Sequence, residues 1–409
     1  MIPYGKQDIS DEDIAAVVAV LKSDYITQGP KVVEFEQAIA KQCQGNNNPV
    51  PFAVATNSAT SALHIACLAL GVTSGDVVWT SPVSFVASSN CVLYCGAKVD
   101  FVDIDINSGN MCPQALAEKL SQAKTNNSLP KVVIAVHLAG QSCDMKAIKA
   151  LAEQYHFAII EDASHAVGAN YNNFPVGSNQ YCDISIFSFH PVKIITSAEG
   201  GMALTNSAEL AKKMQSLRSH GITSEPNEMT EQSHGPWYYQ QLALGFNYRM
   251  TELQAALGVS QTTRLKQFVS QRNTLAKVYD QAFADSVLTP LTPKACTYSA
   301  YHLYVVLLPA LKDKTQSQAI HKQVITNLRV KNINAHVHYI PIHLQPYYQH
   351  LGFNIGDFPA AENYYNRAIS LPLYPKLTAK EQQYIIDSVL NEMEKLTDDN
   401  LLDDNHGNR

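Results

Sequence analysis

Three short stretches of this chain carry residues whose types and spacing could do chemistry. The first, FSFHPVKIITSAEGGM (187–202), places one ammonium, Lys193, between an apolar run and the pair Gly200-Gly201. Lysines in loops are usually solvated. A lysine packed inside a protein is different: removed from water it loses basicity and becomes an amine able to attack a carbonyl. The second stretch, TNSATSALH (56–64), sets Ser58, Thr60 and Ser61 where a strand gives way to a helix. Helix N-termini present free N–H groups and a positive dipole end, so an anion fits there. An ordinary cap uses the same residue types, and both readings stand. The third stretch, FAIIEDASH (157–165), ends an apolar run in Glu161 and Asp162 with His165 just beyond. A carboxylate at that place either caps a turn or holds a cationic nitrogen.

These stretches need elements to position them. Apolar runs at Pro51–Ala55, Asp76–Trp79, Lys98–Val102, Lys131–His137, Phe157–Glu161, Asp183–Phe189 and Met202–Thr205 read as short strands. Helical periodicity at Asp11–Leu21, Ala59–Leu70, Ala87–Tyr94 and Met145–Tyr155 alternates with them. Such alternation predicts a mainly parallel sheet covered on both faces. Ligands then sit beyond the carboxyl ends of the strands, which is where all three stretches fall. From Glu252 a long helix runs toward Phe283. After Tyr298 a smaller α+β part follows: an apolar run at Tyr301–Leu308, a helix at Thr315–Leu328, a strand-like segment at Asn334–Tyr339 and a last helix at Ala379–Leu396. We expect an N-terminal and large domain over 1–250, a smaller one over 251–397 and a disordered acidic tail at 398–409.

An amine, an acidic partner and an anion cup at three strand ends are what one aldehyde cofactor demands. Pyridoxal 5'-phosphate (PLP) carries an aldehyde, a ring nitrogen and a phosphate.

Composition excludes other classes. Among 409 residues the net charge is −6 with no cluster of Lys and Arg, which argues against a nucleic-acid footprint. No apolar run approaches a membrane span, and the N-terminus MIPYGKQDIS lacks the pattern of a signal peptide. Eight scattered cysteines read as reduced thiols of a cytoplasmic protein. His336, His338 and His343 alternate as on a strand, with no carboxylate or Cys to complete a zinc set, so no metal is expected.

The sequence resembles the nucleotide-sugar aminotransferases (DegT/DnrJ/StrS type), a branch of the aspartate-aminotransferase fold (PLP fold type I), from Ile2 to about Lys395. ITQGP (26–30), NSATSALH, TSPVSFVASSN (80–90), EDASHAVGA (161–169), SFHPVKIITSAEGG, LGFNYRMTELQAALG (244–258), HVHYIPIHLQPYY (336–348) and FPAAENYYNRAISLPLYP (358–375) carry the likeness. The resemblance implies a PLP-dependent transaminase with an α/β large domain on a mainly parallel mixed sheet and a smaller α+β C-terminal domain. It implies that Lys193 forms the Schiff base with the cofactor and that Asp162 keeps its ring nitrogen protonated. It places His165 near the ring hydroxyl and Phe85 stacked on the ring, with plain core as the lesser reading of Phe85. Thr60, Ser61 and Ser188 become phosphate ligands, joined by Asn247 donated across a homodimer, with Arg249 beside it. A related group with His in place of the lysine dehydrates sugars; here His190 is present but Lys193 is kept, so the resemblance points to transamination. Within the family, YGKQDI, the long TSPVSF stretch and SFHPVK are most similar to the pseudaminic-acid branch. That branch implies L-glutamate as amino donor and C4 of a UDP-linked 4-keto-6-deoxy-N-acetyl hexose as acceptor. Other nucleotide-sugar 3- or 4-aminotransferases remain the alternative. A cofactor-binding regulator would need a basic DNA-binding part, which the chain lacks.

Overall fold

The computed structural model describes residues 1–45 and 49–398, so the acidic tail expected at 398–409 lies outside the described residues after Asp398. Seven strands form the main sheet: β1 (Phe52–Thr56), β2 (Val77–Thr80), β3 (Lys98–Phe101), β4 (Val132–Val136), β5 (Ala158–Asp162), β6 (Ile184–Ser188) and β7 (Gly201–Thr205). Their order is β1-β7-β6-β5-β4-β2-β3. The run from β3 to β6 is parallel, whereas β7 is antiparallel to both neighbours. Every residue of β4, β6 and β7 is buried, which explains why these strands read as unbroken apolar runs and not as alternating ones.

Helices cover the sheet. α1 (Asp11–Leu21) and α2 (Pro30–Gln42) precede it; α3 (Ala59–Ala69), α4 (Ala87–Tyr94), α5 (Pro113–Thr125) and α6 (Met145–Tyr155) link its strands; α7 (Ala208–Arg218) follows β7. Three of these, α2, α5 and α7, are not among the helices expected from periodicity. Their start signals are Pro at the first helical position of α2 and α5 and, at α7, a Ser207 side chain that accepts from Leu210 N–H.

The long helix expected from Glu252 is two helices, α8 (Glu252–Thr262) and α9 (Leu265–Phe283). At the break, Arg264 leaves helical geometry and its guanidinium binds Asp8 and the fully buried Asp13. Ser260 and Gln261 donate to the same Asp13 carboxylate at 2.6 Å each, which clamps α1 onto α8.

A second, three-stranded antiparallel sheet joins Thr289–Pro290, Tyr304–Leu307 and Ala368–Leu371. Its apolar cluster includes Tyr279 and Phe283 of α9, Val324 of the helix Lys314–Val330, and Ile385 and Val389 of the helix Ala379–Asp398. Arg272 is wholly buried and donates to the carbonyls of Tyr301, His302 and Leu373, neutral acceptors for a guanidinium that pairs with no carboxylate among the described residues. The strand expected at Asn334–Tyr339 is instead an irregular segment with one bridge, His336 to Ser370. Its first backbone groups go to the N-terminal residues, where Asn334 N–H donates to the Ile2 carbonyl, so no ladder forms.

Candidate active site

Lys193 arrives in the cavity because the chain between β6 and β7 folds inward. Thr196 Oγ1 and Ser197 N–H both donate to the Phe189 carbonyl, Ile194 and Ile195 are buried, and Phe189 N–H donates to Gly200. The glycine pair is there for space. A Cβ on Gly201 would lie 2.3 Å from the Ser58 carbonyl oxygen and 2.5 Å from Ala59 N, and one on Gly200 would lie 2.2 Å from Ser197 Oγ. Gly201 thus lets β7 press against the start of α3, and Gly201 pairs with Ser188 at the end of β6. The lysine loop, Ser188 and the α3 N-terminus are drawn together by that contact.

At this helix start, Ser58 Oγ accepts from Ser61 N–H at 3.1 Å, and Ser61 Oγ donates to Asn57 at 2.6 Å. Ala62 N–H closes the first turn on Ser58. The N–H groups of Ala59 and Thr60, ahead of that turn, have no acceptor within the helix and suit an anion.

Asp162 ends β5 and is buried. Its Oδ2 accepts from Ser88 Oγ at 2.6 Å; its Oδ1 accepts from Ser164 Oγ at 2.6 Å and Ser164 N–H at 3.2 Å. Glu161 points the other way along the same strand. It accepts from Ser185 Oγ at 2.8 Å and faces His137 at 3.8 Å. Burial pushes Glu161 up, but its contacts with His137 and Ser185 outweigh that and its acidity rises on balance.

One cavity of about 820 Å³ collects these groups. Thr60, Ser61, Phe85, Asp162, His165, Ser188 and Lys193 all line it. Burial pushes the Lys193 amine down to about 8, with the negative charge of Asp162 working against that drop. Among the described residues none hydrogen-bonds this amine. Phe85, open as plain core or as a stacking ring, is 59% exposed, which removes the core reading. Asn247 does not line the cavity with the others; its side chain is exposed and its backbone bridges to Ser219. Arg249 is half-buried beside it.

A wall of imidazoles completes the cavity. His165 Nε2 lies 3.1 Å from the Tyr339 hydroxyl, and the His165 and His302 rings are 4.3 Å apart. Burial, then the Lys193 charge, drives His165 well below the ordinary histidine range, and burial lowers His302 and, to about 3, His338 in the same way. Lowered in this way, these rings are neutral at pH 7 and add no positive charge beside Lys193; the carboxylates that line the cavity are those of Asp162 and Glu199. Gly140 makes their approach feasible: at φ +100° it sits where a Cβ would come within 2.8 Å of His302 N and 2.9 Å of the His165 carbonyl.

Tyr4, Ser84, Ser88, Ser164, His302 and Tyr339 all border the cavity, yet none is among the residues expected from sequence, where each carries a chemical signal too weak to read alone. Ser84 and Ser88 had the one legible sign, their four-residue spacing at a helix start. His343 is held by Glu362 at 3.1 Å, His338 by Ser370 at 2.9 Å, and His336 and His338 face the cavity. Among the described residues no group of three or more His, Cys, Asp or Glu is placed to hold a metal. No helix among them is long and apolar enough to cross a membrane.

The site suits PLP on its own features. It offers an unpartnered amine, a buried carboxylate, an anion-ready helix start and two buried imidazole Nδ1 atoms, of His165 and His302, that lack partners among the described residues. Comparison with known proteins agrees. Residues 7–390 match the DegT/DnrJ/EryC1/StrS aminotransferase family. The spore coat polysaccharide biosynthesis protein SpsC of Bacillus subtilis is 38% identical, covering 95% of this chain and 96% of its own. A UDP-4-amino-4,6-dideoxy-N-acetyl-beta-L-altrosamine transaminase of Campylobacter jejuni is 34% identical, covering 97% and 98%. The solved PLP form of Spr1654 from Streptococcus pneumoniae, described as a sugar aminotransferase, superposes with a TM-score of 0.86 at 30% identity, covering 97% of this chain and 99% of that one. The chain belongs to the DegT/DnrJ/EryC1/StrS aminotransferase family and is a PLP-dependent aminotransferase.

Proposed function

We propose that this enzyme moves an amino group from L-glutamate to C4 of a UDP-linked 4-keto-6-deoxy-N-acetyl hexose, the transamination of pseudaminic acid biosynthesis. The observation that carries the reading is the convergence of Lys193, Asp162 and the α3 N-terminus on one cavity, in a chain whose Campylobacter relative bears that transaminase name. When bound, PLP supplies an aldehyde that takes up amino groups and a ring that accepts the electron pair left by deprotonation.

The chain's own residues do the rest. Lys193 Nζ anchors the cofactor and, once displaced by substrate, takes the α-proton of the amino donor. An amine at about 8 can both accept and return a proton near neutrality. Asp162 holds the ring nitrogen in its protonated form. The N–H groups of Ala59 and Thr60, with the hydroxyls of Thr60, Ser61 and Ser188, hold the phosphate. His165 and Phe85, which line the same cavity, would hold the ring at its hydroxyl and over one face.

Asn247 serves the partner's site in a homodimer. Its exposure and that of nearby Leu244 (81%) and Trp237 (76%) support a surface that a second copy covers.

Purified holoenzyme given L-glutamate and a panel of UDP- and dTDP-linked keto sugars tests the substrate. The reading expects a 4-amino UDP sugar and 2-oxoglutarate. Turnover confined to a dTDP sugar, or amination at C3, refutes it.

A further inference from the structure

Two serines outside the expected site determine how Asp162 meets its ligand. Ser88 Oγ lies 2.6 Å from Asp162 Oδ2, and Ser84 Oγ lies 2.7 Å from Ser88 Oγ. Ser84 and Ser88 are 4% and 1% exposed, so bulk water does not compete for them. An ionised carboxylate only accepts, so Ser88 must donate its single proton to Asp162. Ser84 must then donate to Ser88. The chain Ser84→Ser88→Asp162 therefore has one direction.

The other oxygen is differently placed. Asp162 Oδ1 accepts from both Ser164 N–H and Ser164 Oγ, which uses both of its lone-pair sites. Among the described residues Oδ2 accepts from Ser88 alone and keeps one site open. We infer that Ser88, backed by Ser84, is a positioning residue that locks the Asp162 carboxylate so that Oδ2 is the oxygen presented to the ring nitrogen of the cofactor. The inference rests on the proposed role of Asp162. Fixing a buried carboxylate through a hydroxyl relay gives it one orientation, where a side chain held from one side only would rock about its χ2 bond.

The test uses holoenzyme variants reconstituted with cofactor labelled with nitrogen-15 at the ring. Ser88→Ala should lower kcat about 10- to 100-fold, the size of one hydrogen bond to a charged group. The KM for L-glutamate should change less than about twofold, because Ser88 does not touch the donor. The ring-nitrogen NMR signal should move toward the unprotonated position or broaden between two states. Ser84→Ala, which keeps the direct donor, should lose less than about threefold in kcat with the nitrogen signal unmoved. If Ser88→Ala does not fold, Ser88→Cys is read in the same way, since a thiol fills the site but donates weakly. A wild-type nitrogen signal with kcat within twofold of wild type in the Ser88 variant overturns the inference. Asp162→Asn separates the two levels. If it too is silent, the proposed role of Asp162 is wrong. If it abolishes turnover while the Ser88 variant is silent, only the relay is wrong.

Discussion

The basicity of Lys193 gives the sharpest test of the site. In water a lysine amine titrates at roughly 10.4. Here burial brings it to about 8 against the pull of Asp162. At pH 7 the neutral, reactive form then makes up about one-tenth of Lys193, against about one part in 2,500 for an ordinary lysine, a gain of about 200-fold. The assay is the rate of arylation of Lys193 in apoenzyme by a small amine-reactive reagent, followed by peptide mass spectrometry across pH, with an acetyl-lysine amide in the same tube as reference. The Lys193 rate should level off with a midpoint near 8. The reference should keep rising toward roughly 10.4. Asp162→Asn removes the charge that holds the value up, so its midpoint should fall further.

A stability consequence follows with a fixed sign. Between about 8 and roughly 10.4 the unfolded chain binds the lysine proton and the folded chain does not, so apoenzyme stability rises with pH across that window. Below it the full cost of burying an ammonium is present. Lys193→Met apoenzyme should therefore melt higher than wild type at pH 7, with the difference shrinking above pH 10 or so. A Lys193 midpoint near that of the reference, or an upward move in Asp162→Asn, would refute the picture of one shared, water-poor cavity.

Other expectations are open to simpler experiments. Thr60→Ala should weaken PLP binding to the apoenzyme about 10-fold, measured by equilibrium dialysis, through loss of one hydrogen bond to a charged phosphate; unchanged affinity would remove Thr60 from the anion site. Gly201→Ala places a methyl against backbone atoms of Ser58 and Ala59 that cannot swing aside, and should cost at least about 1–3 kcal/mol in a denaturant melt, with weaker PLP binding as well. Burial raises Asp13, but Ser260, Ser10, Gln261 and Arg264 outweigh it and leave it below its usual range. Its contribution is therefore complete above the unfolded carboxylate value and fades as pH falls through the folded one, so Asp13→Asn should flatten the acid limb of the stability curve. Mixing inactive Lys193→Ala with inactive Asn247→Ala protein, after subunit exchange, should restore turnover if Asn247 acts across a dimer; no recovery would place Asn247 outside the partner's site.

The sequence by itself determined the strands and the residues at their ends. Seven apolar runs are legible because a sheet buried on both faces tolerates little else, and Lys193, Asp162 and Thr60 stand out because polar groups at strand ends break those runs. The family signatures added what periodicity does not carry: the chemistry. The irregular course of Asn334–Tyr339 could not be read locally, since its backbone partners, Ile2 and Ser370, lie over 30 residues away in either direction. The break at Arg264 likewise depends on Asp8 and Asp13, about 250 positions earlier. Whether Lys193 was a solvated lysine or a depressed amine was a question of its surroundings: burial and the charge of Asp162 are properties of the assembled cavity, not of any stretch of chain. The same holds for the serines behind Asp162 and for the neutral imidazoles. Hydrogen bonds and desolvation act over a few ångströms in space, and only the folded chain says which residues are that close.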